Sequence, residues 1–265
     1  MKSSAMWKNG LPLAALALIL ATGCGHHVDV SRPDAPLPPE RGAQSRPAPQ
    51  ASTDASNSTG RIPVTPVPPG GVSDDDLEFI AKHKPIRSET GYATWYTAPY
   101  KGRKSANGQV FDDRSMTAAH LTLPMGSLIK VTNEDTGQSA AMRISDRGPF
   151  VDGRSLDMTM ASAKATGVYR AGLQKVRIDV YRTPKPIDTG GRWCVQIGAF
   201  TSEGKAIKLK KQLLKRYPDA SVIEFPGENS YWVRIRPEGD DRKQAESIAR
   251  KLKPAEGTAF LTRLD

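Results

Sequence analysis

The chain has 265 residues, a formal net charge of +10 and only two cysteines, Cys24 and Cys194. So few cysteines exclude a disulfide scaffold, and four histidines without metal-ligand spacing in any segment predicted to fold lead us to predict neither a structural metal nor a cofactor. Basic residues outnumber acidic ones by 13 to 8 over residues 90–183 and by 15 to 10 over residues 192–265. Two basic segments favour an acidic polymer as partner.

The N-terminus predicts export. Two lysines precede an apolar run over residues 11–20, which is too short to span a bilayer as a mature helix but typical of a secretory signal. Three small residues then precede Cys24, a pattern that resembles a bacterial lipobox. The resemblance implies a signal peptide over 1–23, lipid on Cys24 and, because Gly25 follows, an outer-membrane anchor; the alternative is a plain signal peptide with an incidental cysteine. Export excludes nucleic acid as the partner and leaves peptidoglycan, phospholipid or lipopolysaccharide.

Residues 24–72 are rich in Pro, Ser, Ala and Gln and poor in large apolar side chains. Such a segment buries too little surface to offset its ordering entropy, so we predict a disordered tether. Ser73 and Asp76 then form the pattern of a capping box, which predicts a short helix and lead-in over 73–90.

Residues 91–182 are predicted to form a mainly β domain. Short β-branched runs alternate with Gly, Asn and Asp turns, and one helix is predicted from Thr159 to Thr166 with Gly167 as its stop. Even spacing of short strands favours a small closed barrel. A Pro- and Gly-containing linker over 183–191 ends the domain.

Several motifs of this domain, in order and spacing, resemble the double-psi β-barrel of the rare lipoprotein A family of septal lytic transglycosylases; they are GYATWY, SANG, TAAHLTLPMGSLIKVTN, RISDRGPF and RSLDMT. That resemblance implies cleavage of the β-1,4 bond between N-acetylmuramic acid and N-acetylglucosamine, with a 1,6-anhydro product. The chemistry needs one carboxyl group that first protonates the leaving oxygen and then accepts the proton of the C6 hydroxyl.

Asp146 is the candidate for that carboxyl group, because it follows a strand and precedes a turn that can present it at a cleft. The alternative is that Asp146 caps its turn and pairs with Arg147 or Arg143. The resemblance places His120 at the family's functional histidine, with a hydrogen-bonding role beside Asp146. We predict that Asp157 caps the following helix, although it is also a candidate second carboxylate for an inverting hydrolase.

Gln109 stands where the family carries a glutamate. An amide neither donates a catalytic proton nor carries charge. Gln109 is therefore predicted to bind sugar hydroxyls together with Asn107 and Arg147, and it raises a non-catalytic, peptidoglycan-binding lipoprotein as the alternative function.

Residues 192–265 form a second predicted domain with a β-α-β, β-α-β pattern, which is typical of a ferredoxin-like split sandwich. VQIGAF and the overall pattern resemble the SPOR domain, a peptidoglycan-binding module of septal proteins. Alternation directs Val195, Ile197, Val233 and Ile235 towards the helices. The opposite face then presents Gln196, Trp232 and Arg234 on an open sheet, where we predict that they bind glycan stripped of stem peptides. Cys194 is predicted to be a packed small residue.

Together these features predict an enzyme of the bacterial envelope. It is anchored by Cys24 to the outer membrane, faces the periplasm and concentrates at the septum. Its predicted partners are denuded glycan strands and divisome proteins.

Overall fold

The computed structural model describes residue 68 and residues 70–97, 100–225 and 230–265. The predicted signal peptide, Cys24 and almost all of the predicted tether lie outside these residues. Within them, no helix has both the length and the apolar character needed to cross a membrane.

The first helix, α1 (Asp74–Lys82), begins at the predicted capping box. The Ser73 side chain accepts from the Asp76 N–H, and the Asp76 carboxylate accepts from the Ser73 N–H. This prediction is confirmed. Asp76 is 1% exposed and also binds the guanidinium groups of Arg143 and Arg182, each at 2.6 Å. One largely buried ion pair and one with the half-exposed Arg182 therefore attach α1 to the barrel.

Six strands close the barrel in the order β1-β5-β2-β4-β3-β6. They are β1 (Arg87–Trp95), β2 (Thr117–Ala119), β3 (Leu128–Asn133), β4 (Ser139–Asp146), β5 (Arg154–Met158) and β6 (Gln174–Arg182). The β1–β5 and β2–β4 pairs are parallel, and the other four pairs are antiparallel. Closure leaves no unpaired sheet edge, and the predicted closed barrel is confirmed.

Branched and thioether side chains fill the barrel, among them Ile129, Met142, Ile144 and Ile178, all 0% exposed. Two short helices follow β5, α2 (Met160–Ala165) and α3 (Val168–Ala171). The α2 helix begins at the predicted Thr159, whose hydroxyl accepts from the Ser162 N–H at 3.4 Å. Gly167 follows with φ of 73°, a conformation that favours glycine and ends the helix as predicted.

The second domain is a four-stranded antiparallel sheet with two helices. Its elements are β7 (Trp193–Phe200), α4 (Glu203–Leu214), β8 (Ser221–Phe225), β9 (Ser230–Ile235), a 3₁₀ turn (Glu238–Asp240), α5 (Arg242–Lys251) and β10 (Thr258–Arg263). The spatial order β10-β7-β9-β8 places the first and third strands of the domain at the centre. That order is the one expected for the ferredoxin-like β-α-β, β-α-β fold, so the predicted class is confirmed.

Alternation along the central strands directs the side chains as predicted. Val195, Ile197, Val233 and Ile235 are at most 1% exposed and pack in one cluster with Ala206 of α4 and Ala245 of α5. The opposite face is where the structure differs from the prediction of an open sheet.

Candidate active site

Asp146 ends β4 at the rim of the barrel. Its Oδ1 atom accepts from the N–H groups of Ala106 at 2.9 Å and Arg147 at 2.8 Å. Burial raises the pKa of Asp146, although these two bonds, the Arg147 charge and the Ser105 hydroxyl act against the rise. The carboxyl group is thus held in place by the backbone and retains its proton to higher pH than an ordinary aspartate.

Asp157 lies at the same height in the barrel as Asp146, because their strands, β5 and β4, flank β2 on opposite sides. Ala119 of β2 is in register with Asp146 of β4 and also with Asp157 of β5. Two inter-strand spacings put the two backbones about 10 Å apart. Burial also raises the pKa of Asp157, against the effects of the Thr94 hydroxyl that donates to it and of the Arg154 charge.

The prediction that Asp157 caps the next helix is wrong, because Thr159 provides the cap. Asp157 instead faces the loop after β4: a β-carbon placed on Gly148 would lie 3.9 Å from its Oδ2 atom and 3.7 Å from the Ala119 side chain. These are ordinary van der Waals distances, and it is the φ of 145° at Gly148 that favours glycine there. The loop after Asp146 therefore lies against the second carboxyl group.

Tyr96 completes this cluster, and the sequence reasoning did not single it out. Burial raises the pKa of Tyr96 well above its usual value, and the charges of Asp146 and Asp157 raise it further. Its ring packs against Phe111 with centroids 4.8 Å apart. Tyr96 lies in the recognisable GYATWY motif, and only the barrel pairing shows that this motif ends beside both carboxyl groups.

His120 lies next to Asp146 through the backbone, since its N–H donates to the Asp146 carbonyl oxygen at 3.2 Å. Its ring is turned elsewhere. The Nε2 atom lies 3.0 Å from Glu89 Oε1, and Nδ1 accepts from the N–H groups of Thr122 and Leu123. With 6% of the residue exposed, His120 positions a turn beside the site, and its ring hydrogen bonds go to Glu89 and to the turn.

The loop that contains Asn107 and Gln109 also contacts Asp146, through the Ala106 N–H. Asn107 Nδ2 donates to Gln109 Oε1 at 2.6 Å, and the Gln109 N–H donates to Asn107 Oδ1 at 3.0 Å. Gln109 is exposed, and both residues line a cleft of about 230 Å³ together with Ser105 and Ser145. The structure therefore brings Gln109 and Asn107 to a cleft beside the loop that holds Asp146.

Arg147 is turned away from this cleft. Its guanidinium donates to the carbonyl oxygens of His120 at 2.9 Å and Leu123 at 2.8 Å, and to those of Arg263 at 2.5 Å and Asp265 at 2.7 Å in the second domain. Burial and the neighbouring Arg263 charge lower the pKa of Arg147 to about 9. In this arrangement Arg147 joins the two domains, and its contact with substrate stays a prediction.

The predicted glycan-binding residues of the second domain are covered. Gln196 is 0% exposed and Trp232 is 4% exposed. Trp232 packs against Phe150 of the barrel, and Arg234 donates to Gln196 Oε1 at 3.1 Å. Cys194 on the same face is buried, which confirms its predicted packing role, and burial raises its pKa to about 11.

Comparison with known proteins agrees with both folds. Residues 88–178 match the family described as Lytic transglycolase, and residues 189–263 match the SPOR domain family. The class of the protein is therefore a lytic transglycolase barrel joined to a SPOR domain. In its order of domains the chain is similar to proteins of the rare lipoprotein A family.

Two relatives and one solved structure illustrate the similarity. The Endolytic peptidoglycan transglycosylase RlpA of Vibrio cholerae is 37% identical over 188 residues, covering 67% of this chain and 66% of that protein. The Probable endolytic peptidoglycan transglycosylase RlpA of Synechocystis sp. is 45% identical over 94 residues, covering 36% of this chain and 29% of that one. The Streptomyces papain inhibitor aligns with a TM-score of 0.31 and 21% identity, over 37% of this chain and 97% of that chain. The chain thus spans just under two thirds of the Vibrio relative and less than a third of the Synechocystis one.

Proposed function

We propose that this protein is a peptidoglycan lytic transglycosylase. It cleaves the β-1,4 bond between N-acetylmuramic acid and N-acetylglucosamine and leaves a 1,6-anhydro end. The observation that carries the proposal is the register of Asp146 and Asp157 on the two sides of Ala119, in a barrel of the Lytic transglycolase family. The names of the relatives support the same substrate.

Asp146 is the proposed acid and base. In its protonated form it donates to the glycosidic oxygen as the bond to C1 breaks, and the N-acetylglucosamine end leaves as an alcohol. The resulting carboxylate accepts the proton of the C6 hydroxyl while the C6 oxygen bonds to C1, so no water is consumed. The raised pKa of Asp146 supplies the protonated form that the first step needs.

Asp157 and Tyr96 have supporting roles in this proposal. Asp157 in its ionised form stabilises the positive charge that develops at C1. Tyr96, held neutral by its raised pKa, keeps the two carboxyl groups apart without adding charge. His120 is a positioning residue, because it fixes the turn that accompanies Asp146.

Gln109 and Asn107 are proposed to bind sugar hydroxyls in the cleft, because an amide both donates and accepts hydrogen bonds. Turnover then proceeds without the family's glutamate. The second domain is proposed to select glycan stripped of stem peptides through Gln196, Trp232 and Arg234.

The proposed location is the periplasmic side of the outer membrane, enriched at the septum, with lipid on Cys24 and divisome proteins as partners. The small residues before Cys24, the Pro-rich segment after it and the match to the SPOR family support this location. The excess of five basic residues in each folded segment suits the carboxylates of peptidoglycan.

A digestion assay tests the proposal. The full-length lipidated protein in detergent is incubated with denuded sacculi, and the soluble products are identified by mass spectrometry. We expect glycan fragments with 1,6-anhydro ends from the wild type and from Asp152→Asn, an exposed aspartate in the loop after β4, and a fall of about 10² to 10⁴ in their rate of formation for Asp146→Asn.

Gln109 favours one competing function, a peptidoglycan-binding lipoprotein without turnover. Binding to sacculi with no anhydro products at high protein load supports that alternative and refutes the enzyme. Products with reducing ends instead indicate an inverting hydrolase that uses Asp146 and Asp157.

A further inference from the structure

The loop directly after Asp146 covers the face of the second-domain sheet that is turned away from its helices. The loop is residues 147–150, and the covered face, which we call the SPOR sheet face, consists of Cys194, Gln196, Trp232, Arg234, Phe260 and Thr262. Five of these six residues are at most 8% exposed, and Arg234 is partly buried. The register pairs Gln196 with both Arg234 and Phe260, so these side chains share one side of the sheet.

An aromatic contact fills the centre of this interface. The ring centroid of Phe150 lies 4.9 Å from that of Trp232 and 5.8 Å from that of Phe260. A flat apolar ring on Trp232 occupies the position that a sugar ring would take in a stacking contact. Phe150 and a glycan therefore exclude each other from the SPOR sheet face.

Hydrogen bonds to backbone groups fasten the edge of the same interface. Arg147 donates to the carbonyl oxygens of Arg263 and Asp265. The Arg263 N–H donates to the Leu121 carbonyl oxygen at 2.9 Å, and the Met125 N–H donates to that of Asp265 at 3.3 Å. The two domains are thus joined by specific hydrogen bonds as well as by the aromatic contact.

The loop covers the sheet face without satisfying its polar groups. Gln196 Nε2 and Arg234 Nε are buried, and neither has a hydrogen-bond partner among the residues that the structure describes. Buried donors without acceptors cost free energy, and the hydroxyl and acetamide oxygens of a glycan would supply acceptors. The interface is therefore well packed at Phe150 but poorly matched at Gln196 and Arg234, as a reversible contact should be.

We infer that the chain has a closed state, in which loop 147–150 occupies the SPOR sheet face, and an open state in which denuded glycan replaces the loop. The contact is autoinhibitory for binding, because only the open fraction of molecules binds glycan and the apparent affinity falls in proportion. This inference rests on the proposed function, since it takes the SPOR sheet face as a glycan-binding surface.

Opening also acts on the catalytic side. Loop 147–150 begins one residue after Asp146, and the Arg147 N–H binds the Asp146 carboxylate. Glycan on the SPOR sheet face releases the loop next to that carboxyl group, and by reciprocity a substrate that displaces the loop in the barrel favours glycan binding by the second domain. Glycan binding by the second domain is thereby coupled to release of the loop beside Asp146.

Binding of a variant tests the inference. Full-length Phe150→Ala lacks the ring that covers Trp232, so its dissociation constant for denuded glycan strands is expected to fall roughly fivefold or more. Val151→Ala is the matched control, because Val151 is the next residue in the chain, is 47% exposed and should bind as the wild type does. A dissociation constant for Phe150→Ala that is unchanged or higher overturns the inference.

Hydrogen exchange on the unaltered chain gives a second test that needs no variant to fold. Denuded glycan is expected to speed exchange at the Arg263 and Met125 amides, which close the interface, and to leave the Ile144 amide of the barrel core unchanged. Equal exchange at Arg263 with and without glycan refutes opening. Neither readout depends on turnover. A chain that opens but yields no anhydro products refutes only the proposed enzymatic function. A chain that cleaves glycan without opening refutes only this inference.

Discussion

His120, the residue after β2, has its Nε2 atom 3.0 Å from the Oε1 atom of Glu89 in β1. Because Nδ1 accepts from two backbone N–H groups, the ring proton resides on Nε2, which therefore donates to Glu89. This bond to His120 lowers the pKa of Glu89 and outweighs the effect of burial. The pair fixes the turn over residues 120–123, whose carbonyl oxygens accept from Arg147. A line of contacts thus runs from Glu89 to the residue next to Asp146.

Replacement of His120 by alanine is expected to destabilise the barrel by about 1–3 kcal/mol. The change removes the acceptor of two N–H groups, one of them buried at Leu123, and an unsatisfied buried donor costs this much. Urea unfolding at neutral pH measures the loss. Glu89→Gln is the control, because its amide oxygen still accepts from Nε2 and the expected loss is under about 1 kcal/mol. Equal stability of His120→Ala and the wild type would show that the turn does not depend on the ring.

Gln109→Glu introduces a carboxyl group at the position where the family carries one. The bond from Asn107 Nδ2 to the Oε1 atom is kept, because a carboxylate accepts as an amide does, and the exposed position accommodates the charge. If the family's glutamate assists proton transfer, the rate of anhydro-product formation is expected to rise by about 10².

The control for this change is Gln109→Ala, which removes the amide without adding charge. We expect it to raise KM for denuded strands and to leave kcat within about threefold, because it removes only binding. A Gln109→Glu rate equal to that of the wild type would show that position 109 orients substrate and transfers no proton.

The predicted elements that proved correct depend on local patterns. The capping box at Ser73, the Thr159 cap and the alternation through Val195 and Ile197 each involve residues close together in the chain. Local hydrogen bonds and side-chain periodicity determine them, and both can be recognised in a sequence. The fold class of each domain was predicted from the family motifs together with these patterns.

The features that the sequence did not reveal depend on pairing between distant residues. Its place before a helix predicts that Asp157 is a cap, yet register with Ala119 sets its position. His120 and Glu89 are 31 positions apart, and no periodicity relates them. Alternation predicts an open SPOR sheet face because it identifies which strand side chains point away from the helices. It does not identify what covers those side chains. Phe150, which covers Trp232, belongs to the other domain.

Activity is expected to fall as pH rises through the pKa of Asp146, because the first step needs its protonated form. The Ser105 hydroxyl lowers this pKa, so Ser105→Ala removes a bond that favours the ionised carboxylate and raises the pKa further. The alkaline limb of kcat should therefore move to higher pH in this variant. Rates of anhydro-product formation across a pH series measure the shift.

Ser139→Ala is the matched control for this shift, since Ser139 is exposed at the start of β4, the strand that ends at Asp146. Its alkaline limb should coincide with that of the wild type. An alkaline limb that moves to lower pH in Ser105→Ala would contradict the assignment of Asp146 as the acid.

Asp265→Asn tests the ionic contacts at the end of β10. The Asp265 carboxylate binds Lys185 Nζ at 2.6 Å, the Arg192 N–H at 2.9 Å and Arg263 Nε at 2.9 Å. Burial alone would raise the pKa of Asp265, but these bonds outweigh it and lower the pKa to about 2. A carboxyl group whose pKa is lower in the folded state stabilises the fold when it is ionised. The stabilisation is complete above the ordinary value of 3.8 and is lost as pH falls towards about 2.

At pH 7 the free energy of unfolding of the variant is therefore expected to be about 2 kcal/mol lower than that of the wild type. The difference should shrink below pH 4. Urea unfolding at a series of pH values measures both quantities. Asp241→Asn is a control at an exposed helix cap, where the amide oxygen still accepts from the Gln244 N–H and the expected loss is well under about 1 kcal/mol. A loss for Asp265→Asn that stays constant from pH 7 to pH 2 would contradict an ionic origin, because the protonated wild-type carboxyl group no longer attracts Lys185 and Arg263.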